Sequence, residues 1–150
     1  MDDLNKITQL KQQGYYCSQI LVLMGLELQG KENPDLVASV QALAGGIGFS
    51  GHLCGALSGA ACLLGLYAGK GKPEKAEDER LNLMLLDLVD WFDSETGSRF
   101  GGVNCDQILE GNHANILQRC PGIILNVWQK SKELLVEYGF DLSGISNEGA

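Results

Sequence analysis

The stretch Leu53–Ala68, LCGALSGAACLLGLYA, decides the fold. It carries no charged side chain, so it reads as a helix buried inside a domain rather than one lying on a surface. At sixteen residues it is shorter than the roughly 18–20 that span a bilayer. Gly55 and Gly59 stand one turn apart, flanked by Ala56, Ala60 and Ala61. Each glycine in a helix costs about 1 kcal/mol against alanine. That cost is offset where another backbone packs closely, so this helix is expected at the centre of the domain. The lead-in, Gly45–Gly51 (GGIGFSG), reads as an irregular, tightly turning approach to it.

Working outward, the apolar residues keep a helical period nearly throughout. Ile20, Met24 and Leu28 recur at four-residue steps. Leu36, Val40, Leu43, Ala44 and Ile47 do likewise behind an Asn33 cap and Pro34 at the first helical position. Leu81, Leu85, Leu88 and Trp91–Phe92 predict a helix from about Glu74 to Ser94. Ile124, Val127–Trp128, Leu134–Leu135 and Tyr138 predict another, ended by Gly139. Strand signals are weak, because no run alternates with period two between hairpin turns. Breaks fall at Gly30–Asn33, Gly69–Pro73, Ser94–Asn104 and Gly111–Gln118, and GKGKPEKAED at 69–78 is the most linker-like segment. The expectation is an all-α fold: one compact domain over residues 1–150, with six or seven helices around the central glycine-rich buried helix.

Nineteen acidic against eleven basic residues leave a formal charge of −8. Nucleic acids and anionic membranes bind basic footprints, so neither is an expected partner. At 45% hydrophobic and 20% charged residues the composition is that of a folded globule. The N-terminal MDDLNKITQLKQQG is acidic and lacks the apolar core of a secretory signal. The expected location is therefore cytoplasmic, where stable structural disulfides are disfavoured.

Five cysteines then need another explanation. Cys17 opens an apolar helix, Cys54 starts the glycine helix, and Cys105 follows Asn104, a good N-cap, with Gln107 at the capping-box position. Cys120 precedes Pro121 and reads as an N-cap with proline next. Cys17-Ser-Gln-Ile-Leu and Cys105-Asp-Gln-Ile-Leu also echo each other, as if two helices began alike. Four cysteines are thus expected at four helix N-termini. One terminus favours a thiolate by about 0.3–1 kcal/mol, and several converging ones by more. Cys62, among alanines and leucines, reads as packing.

The order Cys17, then Cys54-Gly55-Ala56-Leu57-Ser58-Gly59, then Cys105 and Cys120 resembles the bacterial and archaeal C_GCAxxG_C_C family of redox-active proteins. The likeness covers nearly the whole chain, including the glycine-rich lead-in. It implies a small helical cytoplasmic protein whose shared thiols are Cys17, Cys54, Cys105 and Cys120, with Cys62 outside the signature.

Three chemistries compete for those four thiols. Thiol–disulfide exchange needs two of them within bonding reach, and with no CxxC present the fold must make the pair. Four thiolates are also the right number for Zn or an iron–sulfur cluster, with His52 as an added ligand or nearby acid–base group. The spacings of 37, 51 and 15 residues match no compact metal-binding run, so tertiary structure would have to supply the geometry. In the third reading the chain is a helical interaction module with packing cysteines, and a homodimer is one form it could take. A redox partner is implied by the first two and not named by the sequence. His113, the acidic residues Asp87, Asp90 and Asp93, and the remaining glycines read as solvated or structural, and no phosphate-binding motif is present.

Overall fold

The computed structural model describes residues 2–145. It is all-α among those residues, with the single exception of an isolated bridge between Leu53 and Asn104. The helices of five residues or more are α1 (Asp3–Gln12), α2 (Cys17–Leu28), α3 (Pro34–Val40), α4 (Gly55–Ala68), α5 (Arg80–Phe92), α7 (Cys105–Leu109) and α8 (Ile116–Glu137). A three-residue α6 (Ser98–Phe100) lies between α5 and α7. No helix is long and apolar enough to cross a membrane.

The glycine helix α4 is the hub, packing on α2, α5 and α8. Its contact with α2 is as close as the glycine spacing requires. A Cβ at Gly59 would stand 2.7 Å from the Ser18 Cα, and one at Gly25 of α2 would stand 2.2 Å from a Leu63 methyl. Any side chain at Gly59 would therefore push two backbones apart. Around this contact the core gathers Ile20, Leu21, Leu63, Leu64, Phe92 and Ile124, all fully buried. At about 25 cal/mol per Å² of apolar area, such burial is the main term holding the helices together.

Side chains tie the outer helices on. Asp3 of α1 accepts from Trp128 Nε1 at 3.1 Å and pairs with Lys132 Nζ at 2.9 Å. At the start of α2, Ser18 Oγ donates to the Val40 carbonyl at 2.8 Å, and Gln19 Nε2 donates to the Val37 carbonyl at 3.2 Å. These buried bonds satisfy carbonyls at the C-terminus of α3 that no helical N–H reaches.

Four boundaries differ from those expected. The periodicity through Ile47 does not continue as a helix: α3 stops at Val40, a 3₁₀ turn covers Gln41–Leu43, and a left-handed turn follows. The predicted helix from Glu74 begins instead at Arg80, because Asp78 accepts the Arg80 N–H at 3.0 Å and also grips its guanidinium. Its far end runs past Ser94 through a π-helical turn, Asp93–Gly97, into α6, and stops at left-handed Gly101. Finally, α8 starts at Ile116, so Pro121 lies inside it. Proline there removes one hydrogen bond to the Leu117 carbonyl, and Leu117 is itself strongly exposed.

A thiol-lined cavity as candidate functional site

The four signature cysteines are brought to one place by four different elements. Cys17 is the first residue of α2, Cys54 is the N-cap of α4, Cys105 is the first residue of α7, and Cys120 lies in the second turn of α8. Together they line a cavity of about 50 Å³, room for a few water-sized groups. Apolar side chains, among them Ile108, Leu109 and Ile124, form much of the remaining wall.

Local geometry explains each placement. Tyr16 caps α2, and its N–H donates to Gln19 Oε1 at 3.1 Å. Asn104 caps α7, and its N–H donates to Gln107 Oε1 at 3.1 Å. The two Cys-x-Gln-Ile-Leu segments thus start their helices in the same way. Cys54 and Cys105, 51 positions apart in sequence, are set side by side by main-chain bonds across the Leu53–Asn104 bridge. The Cys54 N–H donates to the Val103 carbonyl at 3.0 Å, and the Cys105 N–H donates to the His52 carbonyl at 2.6 Å. Arg119 of α8 donates to the Ile108 carbonyl and pairs with Glu110 at 2.9 Å, which fixes Cys120 against α7.

The approach loop forms the cavity's other wall. Gly45, Gly46, Ile47, Gly48 and Phe49 all have φ between 59° and 75°, a run of five left-handed residues. Glycine accepts this conformation freely, but each L side chain in it costs roughly 1–2 kcal/mol. A Cβ at Gly46 would meet the His52 backbone at 2.4 Å. The turn carries Phe49 onto the cavity, edge-on to Tyr16 with ring centroids 5.3 Å apart.

Cys120 is the exception to the expected set of helix N-termini. Its Pro121 is not a first-turn proline, because the 3₁₀ turn His113–Asn115, held by the Asn112 side chain accepting from the Ala114 N–H at 3.0 Å, starts the helix earlier. His52 contributes main-chain atoms to the bridge, while its exposed side chain does not line the cavity. Cys62 is also outside the cavity and packs beside Val22, Leu26, Val37 and Val40. The cavity residues Lys11, Tyr16 and Phe49 were not singled out from the sequence; the GGIGFSG lead-in was the available signal for Phe49, and for Lys11 there was none.

Burial dominates the electrostatics. It pushes the Cys54 thiol up to about 12, with Cys17 and Cys120 adding to the rise and the Ala56 and Leu57 N–H groups opposing it. Burial likewise pushes Cys120 up to about 11, Cys17 adding and Lys11 opposing. Cys17 is raised by burial, against hydrogen bonds from the Ser18 and Gly45 N–H groups and the charge of Lys11. Cys105 is raised by burial, then by Cys120 and Asp106. The expectation that helix N-termini would favour thiolates is thus reversed for the resting protein. A dipole effect of about 0.3–1 kcal/mol does not match the desolvation of a buried charge. The mutual influence of the four thiols does place them within one electrostatic neighbourhood.

All five cysteines are free thiols. Among the described residues no group of three or more His, Cys, Asp or Glu is arranged to hold a metal ion. As placed, then, the four sulfurs do not fit Zn or an iron–sulfur cluster.

Residues 15–134 match the protein family described as "Putative redox-active protein (C_GCAxxG_C_C)". No curated protein and no solved structure matches the chain.

Proposed function

The chain belongs to the C_GCAxxG_C_C family of redox-active proteins, and from that premise we propose that it carries out two-electron thiol–disulfide chemistry. The observation behind this reading is the convergence of Cys17, Cys54, Cys105 and Cys120 on one small apolar cavity. Two cavity thiols are oxidised to one disulfide, while an organic or protein disulfide accepts both electrons and leaves as two thiols. Neutral, buried thiols are slow to react with solvent oxidants, because the thiolate is the nucleophile. They hold their electrons until a partner disulfide reaches the cavity. A cytoplasmic setting, where thiols are regenerated in the reduced form, suits such a cycle.

The test is a thiol count on the native protein before and after exposure to a small disulfide, with peptide mapping of any bond formed. The expected result is loss of thiols in pairs from the signature cysteines, reversed by dithiothreitol, with Cys62 still free. Four signature thiols that survive the oxidant unchanged would remove the reading. Iron and zinc analysis of anaerobically purified protein provides the contrasting outcome, since a stoichiometric metal would mean that the four sulfurs act as ligands. If neither oxidation nor metal is found, the cysteines are packing residues of a helical module.

A further inference from the structure

All four signature thiols line one cavity, so a sulfur that reacts with them has to enter it. Among the described residues on its wall, Tyr16 and Phe49 are the exposed ones, at 41% and 43%; the others are buried or half-buried. A side chain that faces both the cavity and water stands at its mouth. The two rings meet edge to face, and Phe49 also meets His113, with ring centroids 6.2 Å apart. The three rings make a row from the start of α2, across the left-handed turn, to the 3₁₀ turn that leads into α8. Phe49 is its middle member. The ring rests on Gly45, where a Cβ would stand 2.3 Å from Phe49 Cδ1, so glycine at 45 is what leaves the ring that place.

Size and polarity then set what can pass. The cavity holds about 50 Å³, about a third of the roughly 150 Å³ that admits benzene. That is room for a sulfur carrying one or two carbons, and none for an aromatic ring or a peptide. Apart from the thiols, the polar side chains on the wall are those of Tyr16 and Lys11. An organic ion entering such a space gives up its water for little in return. The formal charge of −8 opposes an anion from a distance as well.

We propose, on the basis of the thiol–disulfide reading, that Tyr16 and Phe49 are the specificity-determining residues of this site, and that they restrict its substrate to a disulfide whose halves are small, uncharged alkylthio groups. One cavity thiol gives up its proton and bonds to a sulfur of that disulfide. The other half leaves with the electron pair and takes up the proton as an alkanethiol. A second cavity thiol displaces the bound half in the same way. Two protein thiols become one disulfide, and one dialkyl disulfide becomes two alkanethiols.

Three methanethiosulfonates that share one leaving group, methanesulfinate, test the restriction: the methyl, the benzyl and the anionic 2-sulfonatoethyl reagents. One equivalent of each is applied to the native protein and to the protein unfolded in urea. Loss of the free thiol at Cys17, Cys54, Cys105 and Cys120 is followed peptide by peptide. The native rate divided by the unfolded rate removes each reagent's own reactivity, and comparing reagents at one cysteine removes that thiol's acidity. The expected ratio for the methyl reagent is tenfold or more above both others. A benzyl or sulfonatoethyl ratio equal to it overturns the proposal; Lys11 on the wall makes the anionic arm the more demanding one. Phe49→Ala should raise the benzyl ratio about fivefold while the methyl ratio changes less than twofold, a split that a merely loosened fold would not give. An unchanged benzyl ratio in the folded variant removes Phe49 from the role, and the wild-type comparison decides the restriction without any variant. Failure at the two levels is distinguishable. Mixed disulfides that persist without any internal pair overturn the thiol–disulfide reading, whereas internal pairs formed equally fast with all three reagents overturn only the restriction.

Discussion

On one side of the cavity, Cys17 and Cys54 stand at the starts of α2 and α4 and take hydrogen bonds from the N–H groups of Ser18, Gly45, Ala56 and Leu57. On the other side, Cys105 begins a five-residue helix beside Asp106, and Cys120 sits inside α8. The first side rests on the close helix–helix contact of α2 with α4, the second on short helices and turns linked by Arg119 and Asn115. The difference teaches that the family's cysteine order does not describe four equivalent thiols. One pair is held by the central helix–helix contact, and the other is brought to it by the bridge at Leu53–Asn104.

The largest expected effect breaks the first side. Gly59→Ala places a Cβ 2.7 Å from the Ser18 backbone, where no flexible side chain can yield. Overpacking of this kind costs about 1–3 kcal/mol, and the backbone location puts Gly59 at the upper end. Thermal unfolding should show a fall of about 6–12 °C. Gly122→Ala, in α8 with nothing within 4 Å of its Cβ, is the control and should not destabilise. Equal losses at both positions would show that the close α2–α4 approach is not what holds this region.

The second effect depends on pH. Cys54 is pushed up to about 12 and Cys120 to about 11, so the folded protein keeps both thiols protonated after the unfolded chain has begun to ionise near 9. The unfolded state then binds fewer protons, and stability falls as pH rises. Their contribution is fully present below pH 9 and declines up to about 11 for Cys120 and 12 for Cys54. The slope approaches about 1.4 kcal/mol per pH unit for each thiol. Urea unfolding at pH 8 and pH 10 checks this: Cys54→Ala should lose less stability over that interval than wild type. Parallel slopes would mean that Cys54 is better solvated than its burial implies.

The contrast between the two sides also tracks what could be read in the sequence. The central helix was legible because Gly55, Gly59 and the neighbouring alanines form a continuous uncharged run, whose only economical use is close packing. The equivalent starts of α2 and α7 were legible because capping is a local interaction, settled by residues three apart. The end of α3 was not. Leu43, Ala44 and Ile47 keep helical spacing, yet the three glycines at 45, 46 and 48 permit a left-handed turn that periodicity does not record. Nor was the start of α8, where Asn112 caps a 3₁₀ turn that displaces Pro121 into the interior of the helix. For the site, the identity of the four cysteines was readable and their charge state was not. Helix termini are local features, whereas desolvation depends on what the whole fold places around a sulfur.

Cys62 gives a smaller effect and a direct contrast between thiols inside and outside the cavity. It packs beside Val22 and Val40, away from the other four. Cys62→Ala should cost about 1 kcal/mol or less and leave the thiol-exchange rate unchanged. The cavity cysteines should behave differently, each changing the exchange when replaced. A slower exchange in the Cys62→Ala protein would extend the reactive set beyond the signature.

The smallest expected effect has the opposite sign and probes the turn that joins the two sides. Ile47 has φ 69° and is 58% exposed, so it holds a β-branched side chain in the left-handed region with little burial in return. Ile47→Gly removes a conformational cost of roughly 1–2 kcal/mol. It also gives the unfolded chain more freedom to lose, which offsets about 0.4–1 kcal/mol. The net should be a gain below about 1 kcal/mol, seen as a rise of a few degrees at most in thermal unfolding. Ile47→Val should show no such gain, because valine is branched in the same way. A loss of stability in Ile47→Gly would mean that the left-handed turn is not strained at this residue, and that the exposed isoleucine is retained for its side chain.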